Sequence, residues 1–212
     1  LMVPKSLGVK SLKELDGATV CVQTGTTTEK TTADYFNSHK MKYNAVVFDT
    51  TEATQGAFIS GRCDVYTSDM SDLAGVRLIS PDPSKYEILP EAITKEPLGP
   101  AVRRGDWEFF EIVRWSFYAF LGAEELGVTQ ANVDEMRKTS TDPNVMRLVG
   151  TGEDMGRMLG LDKDWSYRII KQVGNYGESW TKYFGPNSPI NLPRGMNKLW
   201  TDGGLMYAMP IR

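Results

Sequence analysis

The run Cys21-Val22-Gln23-Thr24-Gly25-Thr26-Thr27-Thr28-Glu29 constrains the fold of this chain more than any other stretch. An alternating segment, Ala18 to Thr24, reads as a strand and meets a glycine and three hydroxyl residues where a helix should begin. Such a turn leaves the first N–H groups of the helix unpaired, and the helix dipole adds partial positive charge there. With hydroxyl donors beside them, these groups make a seat for an anion. Further along, Cys63-Asp64-Val65-Tyr66-Thr67-Ser68-Asp69 reads as another strand, this one ending in a carboxylate. One strand end suits a carboxylate and the other an ammonium, the two charges of a free amino acid.

The segments between and after these strands place them in one sheet. A helix is expected over Thr27–Ser38, a strand over Ala45–Asp49, and a second helix carrying Glu52, Ala53, Gly56, Ala57 and Ile59, closed by Gly61. Val76–Ile79 and Tyr86–Leu89 read as further short strands. Strands alternating with helices indicate βαβ units and a parallel sheet. In such sheets ligands lie outside the carboxyl ends of the strands, where both Gly25–Thr28 and Ser68–Asp69 fall.

The second half is different in kind. Leu98–Asp106 reads as an extended crossing segment, followed by a helix from Trp107 to about Leu126 with Asp106 as N-cap and Gly127 beyond its end. Between Trp107 and Leu121 only Glu108, Glu111, Arg114 and Ser116 interrupt the apolar residues, so the aromatic positions are expected in a core and the helix needs cover on nearly every side. Shorter helices are expected around Val133–Lys138, Val145–Val149 and Ser166–Val173, with no second strand-rich unit. Beyond Gly174 the residues turn to Gly, Pro, Asn and aromatics, an ordered but loop-rich tail.

Composition excludes several classes. At 41% hydrophobic and 24% charged residues the chain is folded rather than disordered. A net charge of −3, with Arg103-Arg104 the densest basic spot, offers nucleic acid no phosphate track. No stretch approaches the roughly 18 apolar residues that a membrane span needs. Cys21 and Cys63, with the single His39, supply no zinc-ligand set; they are either buried thiols or a disulfide between neighbouring strands, the latter implying an oxidising compartment. Gly150-Thr151-Gly152-Glu153-Asp154-Met155-Gly156 nearly mimics a dinucleotide fingerprint, but its last glycine is misplaced and no strand precedes it.

The segments Q-T-G-T-T-T-E, G-R-C-D-V-Y-T-S-D, K-E-P-L-G-P-A-V-R-R-G-D and N-Y-G-E, in that order, resemble the periplasmic amino-acid-binding proteins of ABC importers. The tail N-L-P-R-G-M-N-K-L-W-T-D-G-G-L-M-Y-A is most similar to their general L-amino-acid-binding branch. The resemblance implies an α/β fold of the periplasmic-binding-protein type II kind, a two-lobed clamp closing on one amino acid. It divides the chain into a crossing segment Leu1–Val9, a complete lobe two over Lys10–Lys95, and a returning part of lobe one with a C-terminal extension over Glu96–Arg212. The opening part of lobe one, with the arginine-bearing half of the family's site, is then absent, and a partner copy or fragment is expected over the incomplete lobe. By position, Thr26 and Thr27 match the donors for the ligand carboxylate and Asp69 the acid that pairs with its ammonium. Gln23 and Thr28 match positions facing the ligand side chain, with Ser68 beside them.

Each of these residues also has a plainer reading. Thr26 and Glu29 form a capping box, which needs no ligand yet leaves Thr27 and Thr28 unexplained. Asp69, with Asp72 three residues on, could cap the next short helix, and Gln23 and Ser68 could be solvated strand ends. The resemblance implies a non-enzymatic periplasmic receptor without a cofactor, its partners a free L-amino acid and a membrane permease. The alternatives are a clamp-fold enzyme of dehydratase or lyase type, for which only Glu29 and Asp69 are candidate acid–base groups, and an amino-acid sensor domain.

Overall fold

The computed structural model describes all 212 residues, in two compact units, Leu1–Leu98 and Gly99–Arg212. The first unit is built on a sheet of five strands: β1 (Met2–Pro4), β2 (Ala18–Gln23), β3 (Tyr43–Phe48), β4 (Val65–Tyr66) and β5 (Tyr86–Ile88), in the order β3-β2-β4-β1-β5. β2 lies parallel to both β3 and β4, as the βαβ pattern predicts. β1 and β5 run antiparallel to their neighbours, so the sheet is mixed. The Leu1–Val9 stretch, expected as a crossing segment, contributes β1 to this sheet.

The two-residue period of the strands sorts their side chains onto two faces. Val20 and Val22 of β2 pack with Val3, Leu12, Leu15, Phe36 and Val65 in one cluster. Cys21 packs with Met2, Phe58, Tyr66, Leu73 and Val76 in another. The sequence suggests an alternating strand, but both faces of β2 are covered, so Val20, Cys21 and Val22 are all buried in succession. α1 (Thr27–Ser38) supplies Phe36 to the first cluster, while α2 (Thr51–Ile59) and α3 (Met70–Ile79) supply Phe58, Leu73 and Val76 to the second.

α3 takes in Val76–Ile79, which the sequence presents as a strand. Four residues are too few to separate a strand from a helix end by period, and the buried pair Leu73 and Val76 lies at helical spacing. Cys21 and Cys63 are joined by a disulfide with their Cα atoms 5.6 Å apart, fastening β2 to the entry of β4. Beside it, Thr19 and Asp64 exchange two bonds: the Thr19 N–H donates to Asp64 Oδ2 and the Asp64 N–H to the Thr19 carbonyl, both at 2.8 Å.

The second unit is helical: α4 (Trp107–Glu125), α5 (Val133–Thr139), α6 (Pro143–Leu148), α7 (Trp165–Val173) and α8 (Tyr176–Tyr183). Asp106 caps α4, its Oδ1 accepting from the Phe109 N–H at 3.1 Å. The C-terminal half of α4 buries Ala119, Leu121 and Ala123, and Ala119 and Ala123 pack against Val133, Val145, Leu148, Trp165 and Ile170. Its N-terminal half does not: Trp107 and Phe109 are exposed, contrary to the expectation that they are core.

α8 lies within the expected loop-rich tail. Its start is a full capping box, with Asn175 Oδ1 accepting from the Glu178 N–H and Glu178 Oε2 accepting from the Asn175 N–H. Gly177 obscured this helix in the sequence, yet packing requires it: a Cβ there would meet Glu124 Oε1 at 2.6 Å. Glu124 receives both arms of the Arg194 guanidinium, which also lies 5.2 Å from the Tyr176 ring, so the tail is anchored by a forked ion pair. The near-fingerprint glycines have a packing role as well, since a Cβ at Gly156 would come within 2.3 Å of the Asp162 carbonyl. No helix is long and apolar enough to cross a membrane.

Candidate functional site

Parallel pairing of β2 with β4 carries the expected site residues to one edge of the first unit's sheet. Cys21 is paired with Tyr66, so Gln23 and Ser68 each lie two residues beyond that pair, toward the carboxyl ends of the strands. Gly25, at φ +70°, adopts a backbone conformation that favours glycine and turns the chain from β2 into α1.

Thr26 is the N-cap of α1. Its Oγ1 accepts from the Glu29 N–H at 3.1 Å and donates to the Gln23 carbonyl at 2.8 Å. Glu29 reaches back, Oε2 accepting from the Gly25 N–H at 2.8 Å. The capping contacts therefore occupy the Thr26 hydroxyl and one Glu29 carboxylate oxygen. They leave the N–H groups of Thr26, Thr27 and Thr28 without partners, and the Thr27 and Thr28 hydroxyls without hydrogen bonds. Three successive free amides and two free hydroxyls at the positive end of a helix are donors awaiting an acceptor.

Asp69 stands at the N-cap position of α3 but makes no side-chain cap bond, so the capping alternative is not realised there. Its carboxylate is half-buried and has neither a hydrogen bond nor an ion-pair partner. Beneath it lies a network that sequence reading missed. Tyr66 Oη donates to Asp72 Oδ2 at 2.7 Å, and Gln55 Nε2 donates to Asp72 Oδ1 at 3.4 Å. Burial first, and then the hydrogen bond to the Asp72 carboxylate, push the Tyr66 phenol up to about 12. Tyr66 is thus a neutral donor at any physiological pH, and it orients Asp72 on the first turn of α3. Ser68 is half-buried beside it.

Gln23 is held by the start of α2: Thr51 Oγ1 donates to Gln23 Oε1 at 2.8 Å, and Gln23 Nε2 faces the Asp49 carbonyl at 3.5 Å. Only the side-by-side placement of β2 and β3 brings these residues together, so no local signal marked Thr51. In the second unit, open depressions of about 480 Å3 beside Ser116, Trp165 and Arg168 and about 420 Å3 beside Trp180 and Arg194 have basic groups already engaged with Asp162, Asp164 or Glu124. No group of three potential metal ligands gathers in either unit.

No family model matches the chain. Individual relatives are close. The chain is 52% identical, over all of its length, to the General L-amino acid-binding periplasmic protein AapJ of Rhizobium johnstonii. It is 51% identical, again over all of its length, to the Glutamate/glutamine/aspartate/asparagine-binding protein BztA of Rhodobacter capsulatus. Among solved structures, an ABC transporter periplasmic binding protein from Brucella ovis with glutathione bound superimposes on the whole chain with a TM-score of 0.95 at 50% identity. The chain belongs to the periplasmic binding proteins of ABC transporters. It spans 62% of the length of each of the first two relatives and 67% of the Brucella chain. Membership accounts for the tail, whose Arg194 lies in the N-L-P-R-G motif and anchors to α4. It also agrees with the mixed α/β sheet that places two uncommitted polar groups at neighbouring strand ends.

Proposed function

We propose that the protein is a periplasmic solute-binding protein that captures L-amino acids and delivers them to the membrane permease of an ABC importer, without catalysis. One observation carries this reading: free donors and a free carboxylate at the ends of two paired strands, the complement of an α-carboxylate and an α-ammonium. The Thr26, Thr27 and Thr28 amides and the Thr27 hydroxyl hold the carboxylate, and Asp69 holds the ammonium. Gln23, Thr28 and Ser68 face the ligand side chain. Both main contacts are charge-assisted, so the ligand backbone fixes the pose and the side chain sets selectivity. Glu29 binds the Gly25 amide in the capping turn, leaving an enzymatic reading only Asp69 and no partnered nucleophile.

A second ligand reading has a specific support. The Brucella relative was solved with glutathione, a peptide whose γ-glutamyl end carries the same α-carboxylate and α-ammonium. The exposed apolar start of α4, around Trp107 and Phe109, is covered in the functional protein by a further segment or a partner copy.

Isothermal titration of the full-length gene product with a panel of L-amino acids and glutathione tests these readings. The first expects binding of several L-amino acids, weakened about tenfold or more by Asp69→Ala or Thr27→Val. Glutathione binding more tightly than every amino acid selects the second, and no binding of any panel member rejects both.

A further inference from the structure

We propose that Asp72 is a positioning residue of this site: pinned by Tyr66 and Gln55 on the first turn of α3, its carboxylate keeps Asp69 from capping that helix and so keeps Asp69 open to a ligand ammonium. The inference rests on the amino-acid-binding reading and adds to it a residue that acts through Asp69.

Four aspartates stand at the N-cap positions of α-helices: Asp69 of α3, Asp106 of α4, Asp142 of α6 and Asp164 of α7. Asp106 and Asp142 cap, accepting from the Phe109 and Asn144 N–H groups at 3.1 and 2.8 Å. Asp164 does not cap, but Arg168 and Arg137 hold it at 3.1 and 3.8 Å. Asp69 has neither a cap bond nor a cation. The third helical residue separates the cases: it is Phe109, Val145 and Tyr167 after the other three, and Asp72 after Asp69. A cap oxygen lies beside the amides of the first turn, so capping by Asp69 would set its carboxylate against that of Asp72. Like charges so close repel, and more strongly in a half-buried turn than in open water. Where only one member of such a pair is a carboxylate the cap closes: Thr26 accepts from the Glu29 N–H, and Asn175 from the Glu178 N–H.

This repulsion acts only if Asp72 is kept from swinging away. Its Oδ2 accepts from Tyr66 Oη at 2.7 Å and its Oδ1 from Gln55 Nε2 at 3.4 Å. A carboxylate only accepts, so both neighbours must donate. Tyr66 is buried on β4 and Gln55 half-buried on α2, so the grip on Asp72 comes from two packed elements. Asp69 is left half-buried just past the end of β4 with its carboxylate unbonded, and β4 pairs with the strand that carries the free amides. A ligand ammonium then has no cap bond to break before it reaches Asp69.

The test compares the full-length gene product as wild type and as Asp72→Asn, by titration with L-glutamine and by NMR amide exchange without ligand. Asp72→Asn keeps the shape and removes the charge, so Asp69 should close onto the helix. The amide at position 71 or 72 should then exchange about threefold to tenfold more slowly, and L-glutamine should bind about threefold to tenfold more weakly, by the strength of the cap it must break. Weaker binding with exchange as in wild type would mean that Asp72 attracts the ammonium directly, and it overturns the proposal; so does unchanged binding. Faster exchange, the mark of a merely structural role, overturns it as well. If Asp72→Asn does not fold, Tyr66→Phe, which frees Asp72 to swing away, is read by the same two measurements with the same outcomes. Wild type failing to bind L-glutamine counts against the amino-acid reading; slower exchange in Asp72→Asn would still uphold the hold on Asp69, and unchanged exchange would overturn it.

Discussion

Phe36 and Phe58 in the first unit are 0% and 1% exposed, whereas Trp107 and Phe109 at the start of α4 in the second are 72% and 51% exposed. The side chains are of similar size and hydrophobicity, so the difference lies in what each unit has to place over them. The sheet unit has helices for both faces of its strands, and a disulfide closes it further. The helical unit covers only the C-terminal half of its longest helix, by α5, α6 and α7. An aromatic run in a sequence shows that burial is needed. It does not show that the same stretch of chain supplies the cover.

The largest effect expected from this contrast is on core truncation. Phe36→Ala should destabilise the first unit by about 3–5 kcal/mol, through lost transfer energy and the cavity left behind. Phe109→Ala, a surface change in this chain, should stay within about 0.5 kcal/mol. Urea unfolding of both variants measures the pair. A large loss at Phe109 would mean that the start of α4 finds cover after all.

The disulfide comes next. Replacing Cys21 and Cys63 together by serine should cost about 2–4 kcal/mol, by freeing in the unfolded chain the loop closed by two cysteines 42 positions apart. Because Cys21 lies two residues before Gln23, and β4 follows Cys63, amide exchange should rise first along β2 and β4. Protection unchanged on those strands would show that the Thr19–Asp64 bonds alone hold the pairing.

The smallest effect is acid sensitivity in the second unit. Hydrogen bonds from Lys171 and then Tyr167 hold the Asp134 carboxyl below the usual carboxylate range. A pKa depressed by folding adds stability above the unfolded value, and that stability is lost as pH falls through the lower, folded value. Asp134→Asn should therefore lower the thermal midpoint at neutral pH, with the gap to wild type closing in acid. The change is modest because Asp134 and Lys171 are both about half exposed. A gap that persists into strong acid would assign the effect to packing instead.

Much of the candidate site was legible because its parts are local. A strand, a glycine and three threonines specify a capped helix start whatever surrounds them, and the structure shows that start with Thr26 as the cap. The plainer reading of Asp69 as a cap could not be dismissed from spacing; the backbone leaves its carboxylate unbonded. Elements failed where the signal was short or mixed. Val76–Ile79 is a helix end, and α8 was hidden by Gly177, whose reason for being glycine is the Glu124 carboxylate fifty-three positions earlier in the chain.

By itself the sequence determined what depends on neighbours along the chain: the strand-to-helix turns, the caps, the apolar faces, and the segments that mark the family. Only the tertiary structure decided what depends on neighbours across it. The Cys21–Cys63 bond, the Thr51 hold on Gln23, the Tyr66–Gln55–Asp72 network and the Arg194–Glu124 anchor each join residues whose proximity is set by strand order or helix packing. Strand order and helix packing are properties of the whole core, in which each contact wins or loses against all the others, and no window of sequence contains them.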